Sequence, residues 1–242
     1  MSKYKTIFFD LDDTLIDNNE SLKFAFKCLC DSIEVNFCED LFNDWKIFDT
    51  NWWNSLEIGK LIIPNTCITK DEQVTWLRAS RFIHFFKDMD ISFDKAVEMN
   101  NIYTSNLGGN IVEIAGAKEL LASLCLDYEI LIATNGPREA ALIKIDKAGF
   151  SPYISHLVSS EEIGGTPKPT EFFFEYLLDK CKNKDKDSML IVGDSLSTDV
   201  LLGINNGFDS CWFNPNNNQL LPNYKPTYIV NDYQQLKEIV KN

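Results

Sequence analysis

Short apolar runs alternate with helix-like stretches through most of this 242-residue chain, and this alternation constrains the fold more than any other feature. Most of the runs are nearly continuous in apolar residues, which is typical of strands that are covered on both faces. From about residue 111 onward, the alternation predicts an α/β fold: a parallel sheet with right-handed crossovers, flanked by helices. The candidate strands are KTIFFD, YEILIATNG, ISHLVSS, SMLIVGD, SCWFN and TYIV.

The segment of residues 17–110 interrupts this alternation, because it has helical periodicity and lacks such runs. Its borders, IDNNES and SNLGGN, are polar and Asn/Gly-rich, as hinge segments between two bodies are. The sequence therefore predicts an all-helical insert at 17–110 in a core of residues 1–16 and 111–242. Aromatic side chains recur in the insert at helical spacing, and we expect them to form its core. They are Trp45, Trp52, Trp53, Trp76, Phe82, Phe85 and Phe86.

Composition argues against several classes of function. With 23 Lys and Arg against 36 Asp and Glu, the net charge of −13 disfavours binding to nucleic acid polymers and to anionic membranes. The amino terminus reaches an acid too soon for a signal peptide, and no segment approaches the roughly 18 continuous apolar residues of a membrane span. The seven cysteines are scattered singly, so we expect free thiols in a reducing, cytoplasmic environment.

Polar side chains of chemically useful kinds follow the predicted strands. In open α/β sheets, ligands bind beyond the carboxyl ends of the strands. Asp10 and Asp12 follow the first strand, and Asp194 follows SMLIVG. Together they make a hard, oxygen-rich site suited to Mg²⁺, whose charge would also offset the repulsion between the carboxylates. Thr134 and Lys168 lie past two further strands.

The carboxylates of DLDDT divide into two kinds. Residues two apart in an extended segment point the same way, so Asp10 and Asp12 can face one substrate while Asp13 shapes the turn. One of the pair can attack as a nucleophile. The other can donate a proton to the leaving oxygen and then take one from water.

A phosphoryl group has candidate partners at two other strand ends. Thr134, the backbone amides of Asn135 and Gly136, and the ammonium of Lys168 can bind its equatorial oxygens. Nucleophile, acid/base and oxygen-binding groups together predict phosphoryl transfer.

The motifs DLDDT, ATNG, TPKP and GDSLSTD occur in the order and with the spacing of the four motifs of the haloacid dehalogenase (HAD) superfamily, which the chain resembles over nearly its whole length. The resemblance implies a HAD-type, Rossmann-like core in which the helical insert is a C1-type cap. It also implies Mg²⁺-dependent chemistry through an aspartyl-phosphate. Asp10 would be the nucleophile, and Asp12 the general acid/base that also lends its backbone carbonyl to the metal.

The same resemblance assigns the remaining motif residues. Thr134 matches the second-motif Thr, and Lys168 matches the third-motif Lys. Asp194 and, less directly, Asp199 match the metal-side acids of the fourth motif. From the residues alone, Asp199 could instead be an acid in the first turn of a helix that a nearby serine caps.

A finer resemblance concerns the substrate. SSEEIGGTPKP followed by VGDSLSTDVLLGINNGFDSCWFN is similar to the YjjG-type pyrimidine 5′-nucleotidases, which implies hydrolysis of pyrimidine nucleoside monophosphates. A phosphatase of sugar phosphates or phosphoglycolate would use the same core, and a phosphomutase or a non-catalytic HAD-fold binding protein are further alternatives. A dehalogenase is disfavoured, because that class lacks an acid at the position of Asp12. We therefore expect a phosphoric monoester hydrolase with a small phosphate monoester as its partner.

Overall fold

The structure is a computed structural model, which describes residues 2–57 and 62–241. Six strands in this part of the chain form a single parallel sheet, which confirms the predicted α/β fold. The strands are β1 (Thr6–Phe9), β2 (Glu129–Thr134), β3 (His156–Ser159), β4 (Met189–Gly193), β5 (Asp209–Phe213) and β6 (Tyr228–Val230). Their order across the sheet is β3-β2-β1-β4-β5-β6.

Strand β1 lies between β2 and β4, so the strand order reverses at β1. Its last residue, Phe9, pairs with Ile132 of β2 and with Val192 of β4. The carboxyl ends of these strands therefore meet at one edge of the sheet, where an open α/β sheet has its ligand-binding crevice.

Both faces of the sheet are covered, which explains why the apolar runs are nearly continuous. Side chains alternate along β1, so that Ile7 and Phe9 belong to one buried cluster and Phe8 belongs to the other. Full burial of each such side chain stabilises the fold by about 1.5–3 kcal/mol. The helices of the described chain are α1 (Asn18–Ser32), α2 (Glu39–Glu57), α3 (Lys70–Phe85), α4 (Phe93–Asn106), α5 (Ala117–Leu124), α6 (Arg138–Lys147), α7 (Glu171–Lys180), α8 (Leu201–Asn206) and α9 (Tyr233–Lys241).

The chain divides into two compact units. One contains the chain up to Asn19 and again from Ile111, and it holds the sheet with α5–α9. The other, Glu20–Asn110, holds α2, α3, α4 and nearly all of α1. Helix α2 is described as far as Glu57, and residues 58–61 of the predicted insert lie outside the described ranges.

Aromatic rings form the core of the helical unit. The Trp45 ring is stacked on Phe26 and on Phe82, with ring centroids 5.4 and 4.9 Å apart, and all three side chains are buried. Stacked aromatic pairs add about 0.5–1.5 kcal/mol beyond the burial of their area. The helical spacing of these aromatics thus reflects packing within the unit.

All seven cysteines lie in the described part of the chain and are free thiols, as expected. Burial raises the pKa of Cys181 and of Cys211 to about 12, so these two thiols stay protonated and act as small apolar groups. None of the described helices is long and apolar enough to cross a membrane.

Candidate active site

The register of the sheet brings the motif residues to one edge. Asp10 directly follows β1, Thr134 ends β2, and Asp194 directly follows β4. The backbone of Asp10 still donates to the carbonyl of Val192, so its position is set by the sheet ladder itself. Lys168 comes from the loop before α7, and its main-chain N–H donates to Asn135 Oδ1 at 2.8 Å.

Three carboxylates form a compact cluster at this edge. Asp10, Asp194 and Asp199 each place a carboxylate oxygen within 4.8 Å of the others. Asp10 is 7% exposed and Asp199 is 1% exposed. Buried carboxylates need compensating positive charge, and this site requires a strong source of it.

Lys168 supplies part of that charge. Its buried ammonium donates to Asp10 Oδ1, Asp199 Oδ1 and the carbonyl of Ala133, each at 2.6 Å. Burial lowers the pKa of Lys168, but Asp10 and Asp199 raise it by more, so the ammonium stays charged. These bonds use all three of its donors.

Asp10 is held through both carboxylate oxygens. Lys168 binds Oδ1, and the Thr14 hydroxyl donates to Oδ2 at a longer 3.4 Å. Thr14 Oγ1 also accepts from the Asp194 N–H at 3.0 Å and so joins the ends of β1 and β4. Burial and the neighbouring carboxylates raise the pKa of Asp10 despite the opposing effect of Lys168. Three carboxylates of this cluster thus share the one ammonium of Lys168.

Asp194 and Asp199 have different surroundings. Burial raises the pKa of Asp194 to about 7, with a further rise caused by Asp199, and Trp212 Nε1 donates to the Asp194 carbonyl at 2.7 Å. Asp199 Oδ1 accepts from Lys168, and its Oδ2 accepts from the Ser195 N–H at 3.1 Å. The Ser195 hydroxyl also caps the following turn, so Asp199 lies in a capped first turn and in the acidic cluster at once.

The loop after β2 is compact around Thr134, which is 2% exposed. The Gly136 N–H donates to Thr134 Oγ1 at 3.0 Å. To bind a phosphoryl oxygen as predicted, this N–H would have to exchange Thr134 Oγ1 for the substrate oxygen. Asn135 clamps the Lys168 loop, accepting at Oδ1 from Lys168 N–H and donating from Nδ2 to the Lys168 carbonyl at 3.3 Å. The two loops thus hold each other in place.

Asp12 has a partner that sequence reasoning did not find. The buried Lys144 of α6 donates to Asp12 Oδ1 at 2.5 Å and to Asn18 Oδ1 at 3.1 Å. A signal for it exists in the sequence, because Lys144 shares the buried stripe of α6 with Ala141. Asp13 adopts φ 59°, and its carboxylate accepts from the Asn18 N–H at 3.0 Å, so it shapes the turn.

Comparisons with known proteins place this arrangement in context. The family model of haloacid dehalogenase-like hydrolases matches residues 4–207. The chain is 30% identical over 234 residues to the pyrimidine 5′-nucleotidase PynA of Streptococcus pneumoniae, covering 96% of this chain and 93% of PynA. It is 27% identical over 240 residues to the pyrimidine 5′-nucleotidase YjjG of Escherichia coli, covering 98% of each protein.

A solved structure extends the likeness to three dimensions. The magnesium-bound crystal structure of the HAD-hydrolase YfnB of Bacillus subtilis, which reveals interdomain movement, is similar to this chain with a TM-score of 0.86. The identity is 26%, and the alignment covers 99% of this chain and all of YfnB. The fold is therefore shared over both units and not only over the sheet.

Proposed function

The chain is a phosphoric monoester hydrolase of the haloacid dehalogenase-like family, and we propose that its substrates are small phosphate monoesters, most specifically pyrimidine nucleoside monophosphates. The observation that carries the reaction is the contact between Asp10 and Lys168 inside the acidic cluster at the strand ends, and the likeness to PynA and YjjG supports pyrimidine nucleotides as substrates. An oriented carboxylate nucleophile beside fixed positive charge is what transfer of a phosphoryl group needs.

The residues of this site fit Mg²⁺. Carboxylate oxygens are hard ligands of the kind that Mg²⁺ prefers, and the cluster has more carboxylates than Lys168 neutralises. We propose that Asp10 and Asp194 hold the ion, with the backbone carbonyl of Asp12 as the family resemblance implies. Asp199 lies alongside, and its two oxygens already accept from Lys168 and from a backbone N–H. When bound, Mg²⁺ supplies positive charge that offsets the repulsion between Asp10 and an incoming phosphate.

In the first half of the proposed reaction, the ester bond is exchanged for an acyl phosphate. An oxygen of Asp10 attacks the phosphorus, and the bond from phosphorus to the leaving oxygen breaks. Asp12 donates its proton to that leaving oxygen, so the alcohol departs neutral. Lys168 holds Asp10 Oδ1, which leaves Oδ2 as the attacking oxygen.

In the second half, water completes the hydrolysis. Asp12, now ionised, takes a proton from a water molecule, whose oxygen attacks the phosphorus of the acyl phosphate. Inorganic phosphate leaves, Asp10 is regenerated, and Asp12 is again protonated. Thr134 and Lys168 bind the phosphoryl oxygens throughout, and one present acceptor of Lys168 is exchanged for a substrate oxygen. We assign the helical unit, together with the hinge segments, the role of a cap that excludes bulk water from the site.

The nucleophile is tested by matched variants within one motif. We expect Asp10→Asn to reduce phosphate release to background, because the amide cannot form the acyl phosphate. Asp13→Asn makes the same chemical change, and asparagine tolerates the positive φ at this position, so activity should persist. Phosphate release with Mg²⁺ is the measurement, and equal activity of Asp10→Asn and wild type would contradict the mechanism.

The substrate class is tested by a panel. Purified protein with Mg²⁺ is assayed on dUMP, dTMP, UMP, purine monophosphates and sugar phosphates. We expect the highest kcat/KM for the pyrimidine nucleotides. A preference for sugar phosphates would remove the nucleotidase assignment and leave the phosphatase standing, whereas no phosphate release from any compound would favour a non-catalytic binding protein.

A further inference from the structure

Lys144 is a buried cation that the proposed reaction does not use. It is 3% exposed and lies on the buried stripe of α6 with Ala140, Ala141 and Ile145. Burying an ammonium is costly unless it is paired and hydrogen-bonded. A lysine at such a position is therefore held there by what it binds.

What Lys144 binds is the carboxylate proposed as the acid/base. Its ammonium contacts Asp12 Oδ1 at 2.5 Å, and a second bond of 3.1 Å to Asn18 Oδ1 anchors it at the first residue of α1. The Asn18 N–H in turn donates to Asp13 Oδ1 at 3.0 Å. The Lys144 ammonium is thus held between Asp12 Oδ1 and Asn18 Oδ1. The Asp12 side chain remains 26% exposed.

The bond to Lys144 decides which oxygen of Asp12 is available. Oδ1 is occupied, and Oδ2 faces the loop after β2: a Cβ added to Gly136 would lie 3.5 Å from Asp12 Oδ2 and 3.3 Å from Thr134 Oγ1. Thr134 is the residue proposed to bind the phosphoryl group. Oδ2 is therefore the oxygen turned toward the place where the proton must be exchanged.

We propose that Lys144 is a positioning residue, which holds Asp12 by one oxygen so that the other faces the leaving group. This inference rests on the proposed function, because it assigns Asp12 the acid/base role. Errors of position of about 1 Å can cost about 100-fold in rate. The loss should be confined to reactions that need the proton.

The test compares two leaving groups. In 4-nitrophenyl phosphate the leaving oxygen departs as a stable anion without a proton, whereas the 5′ oxygen of thymidine monophosphate needs one. The parameter kcat/KM reports the steps up to ester cleavage for each. We expect Lys144→Met, which keeps the length and loses the donor, to lower kcat/KM for the nucleotide about 10- to 100-fold more than for the aryl ester. Asp12→Asn supplies the reference for complete loss of the acid.

Two further variants complete the design. Lys147→Met makes the same change at an exposed position of the same helix and should leave both values unchanged. Lys144→Arg keeps a donor and should recover part of the nucleotide activity. If Lys144→Met does not fold, Asn18→Ala removes the second anchor of the lysine and should show the same selective loss at smaller size.

The outcomes separate this inference from the function that it rests on. Equal losses for the two esters, or no loss for either, in a folded Lys144→Met or Asn18→Ala protein would overturn the positioning role and leave the phosphatase intact. A wild-type protein that releases phosphate from neither ester would overturn the proposed substrate class itself.

Discussion

Three aspartates within four positions of the chain come to lie in three different surroundings. Asp10 is buried against Lys168, whereas Asp12 is partly exposed and held by Lys144. Asp13 has a positive φ and completes the turn. Identical side chains are thus differentiated by their partners, because the carboxylate oxygen that a lysine holds is withdrawn from other uses.

Gly193, the last residue of β4, is required by the acidic cluster. A Cβ at this position would lie 2.2 Å from the carboxylate carbon of Asp199. We expect Gly193→Ala to displace Asp199, to cost about 1–3 kcal/mol of unfolding free energy and to lower activity. Urea denaturation and phosphate release are the measurements. A variant with wild-type stability would show that Asp199 has room to move.

Gly136 provides a contrast at the same edge of the sheet. Among the described residues, its added Cβ would meet Thr134 Oγ1 and Asp12 Oδ2, at 3.3 and 3.5 Å. Gly136→Ala should therefore keep nearly wild-type stability and lose activity, because the methyl group lies between two groups proposed to act on substrate. A loss of stability equal to that of Gly193→Ala would contradict this separation.

At the scale of elements, helix α6 departs from a simple amphipathic pattern, whereas helix α3 begins at a capping sequence. Helix α6 buries a lysine on its apolar stripe, which weakens the periodic signal. Helix α3 begins with a capping box: Thr69 Oγ1 accepts from the Glu72 N–H, and Glu72 Oε2 accepts from the Thr69 N–H. Helix α6 departs from the amphipathic pattern because its lysine binds a residue that is distant in sequence. Helix α3 begins where its sequence predicts because the two capping residues are only three positions apart.

The capping box gives a test of how the helical unit is stabilised. Thr69→Ala removes the side-chain acceptor and should lower the unfolding free energy by about 0.5–2 kcal/mol. Thr75→Ala makes the same change at an exposed interior position of α3, where alanine is the better helix former, and should not destabilise. Denaturant unfolding of both variants is the measurement, and equal effects would show that the cap contributes nothing.

At the scale of the whole molecule, we expect the clustered carboxylates to couple folding to pH and, through the proposed metal site, to Mg²⁺. The pKa of Asp194 is raised from 3.8 to about 7, chiefly by burial, while Asp199 and Asp13 add to the rise and Lys168 opposes it. The folded protein therefore binds a proton more tightly than the unfolded chain. Without metal, the free energy of unfolding should fall as the pH rises from about 4 to about 7.

At the proposed site Mg²⁺ would bind the ionised carboxylates, so we expect it to restore stability mainly at the alkaline side of this range. We expect the increase in Tm caused by Mg²⁺ to be larger at about pH 8 than at about pH 5.5. For a chain of this size, each kcal/mol of added unfolding free energy raises Tm by about 2–4 °C. Asp194→Asn should reduce the increase. A shift that is equal at the two pH values would contradict the coupling.

The sheet and the motif positions were predictable from sequence because their signals are local. Thr6–Phe9 reads as a buried strand from its own apolar residues, and Asp10 and Asp194 follow their strands directly. The parallel sheet then brings those strand ends together. By itself, the sequence determined the fold class and which residues stand at the carboxyl edge.

Only the tertiary structure decided how those residues are paired. Lys168 gives all three donors to Asp10, Asp199 and a backbone carbonyl, and Lys144 binds Asp12 from 132 residues away. A pattern of residue types does not indicate which of several distant carboxylates a lysine binds. That choice depends on side-chain distances and burial, which exist only once the sheet and its helices are packed.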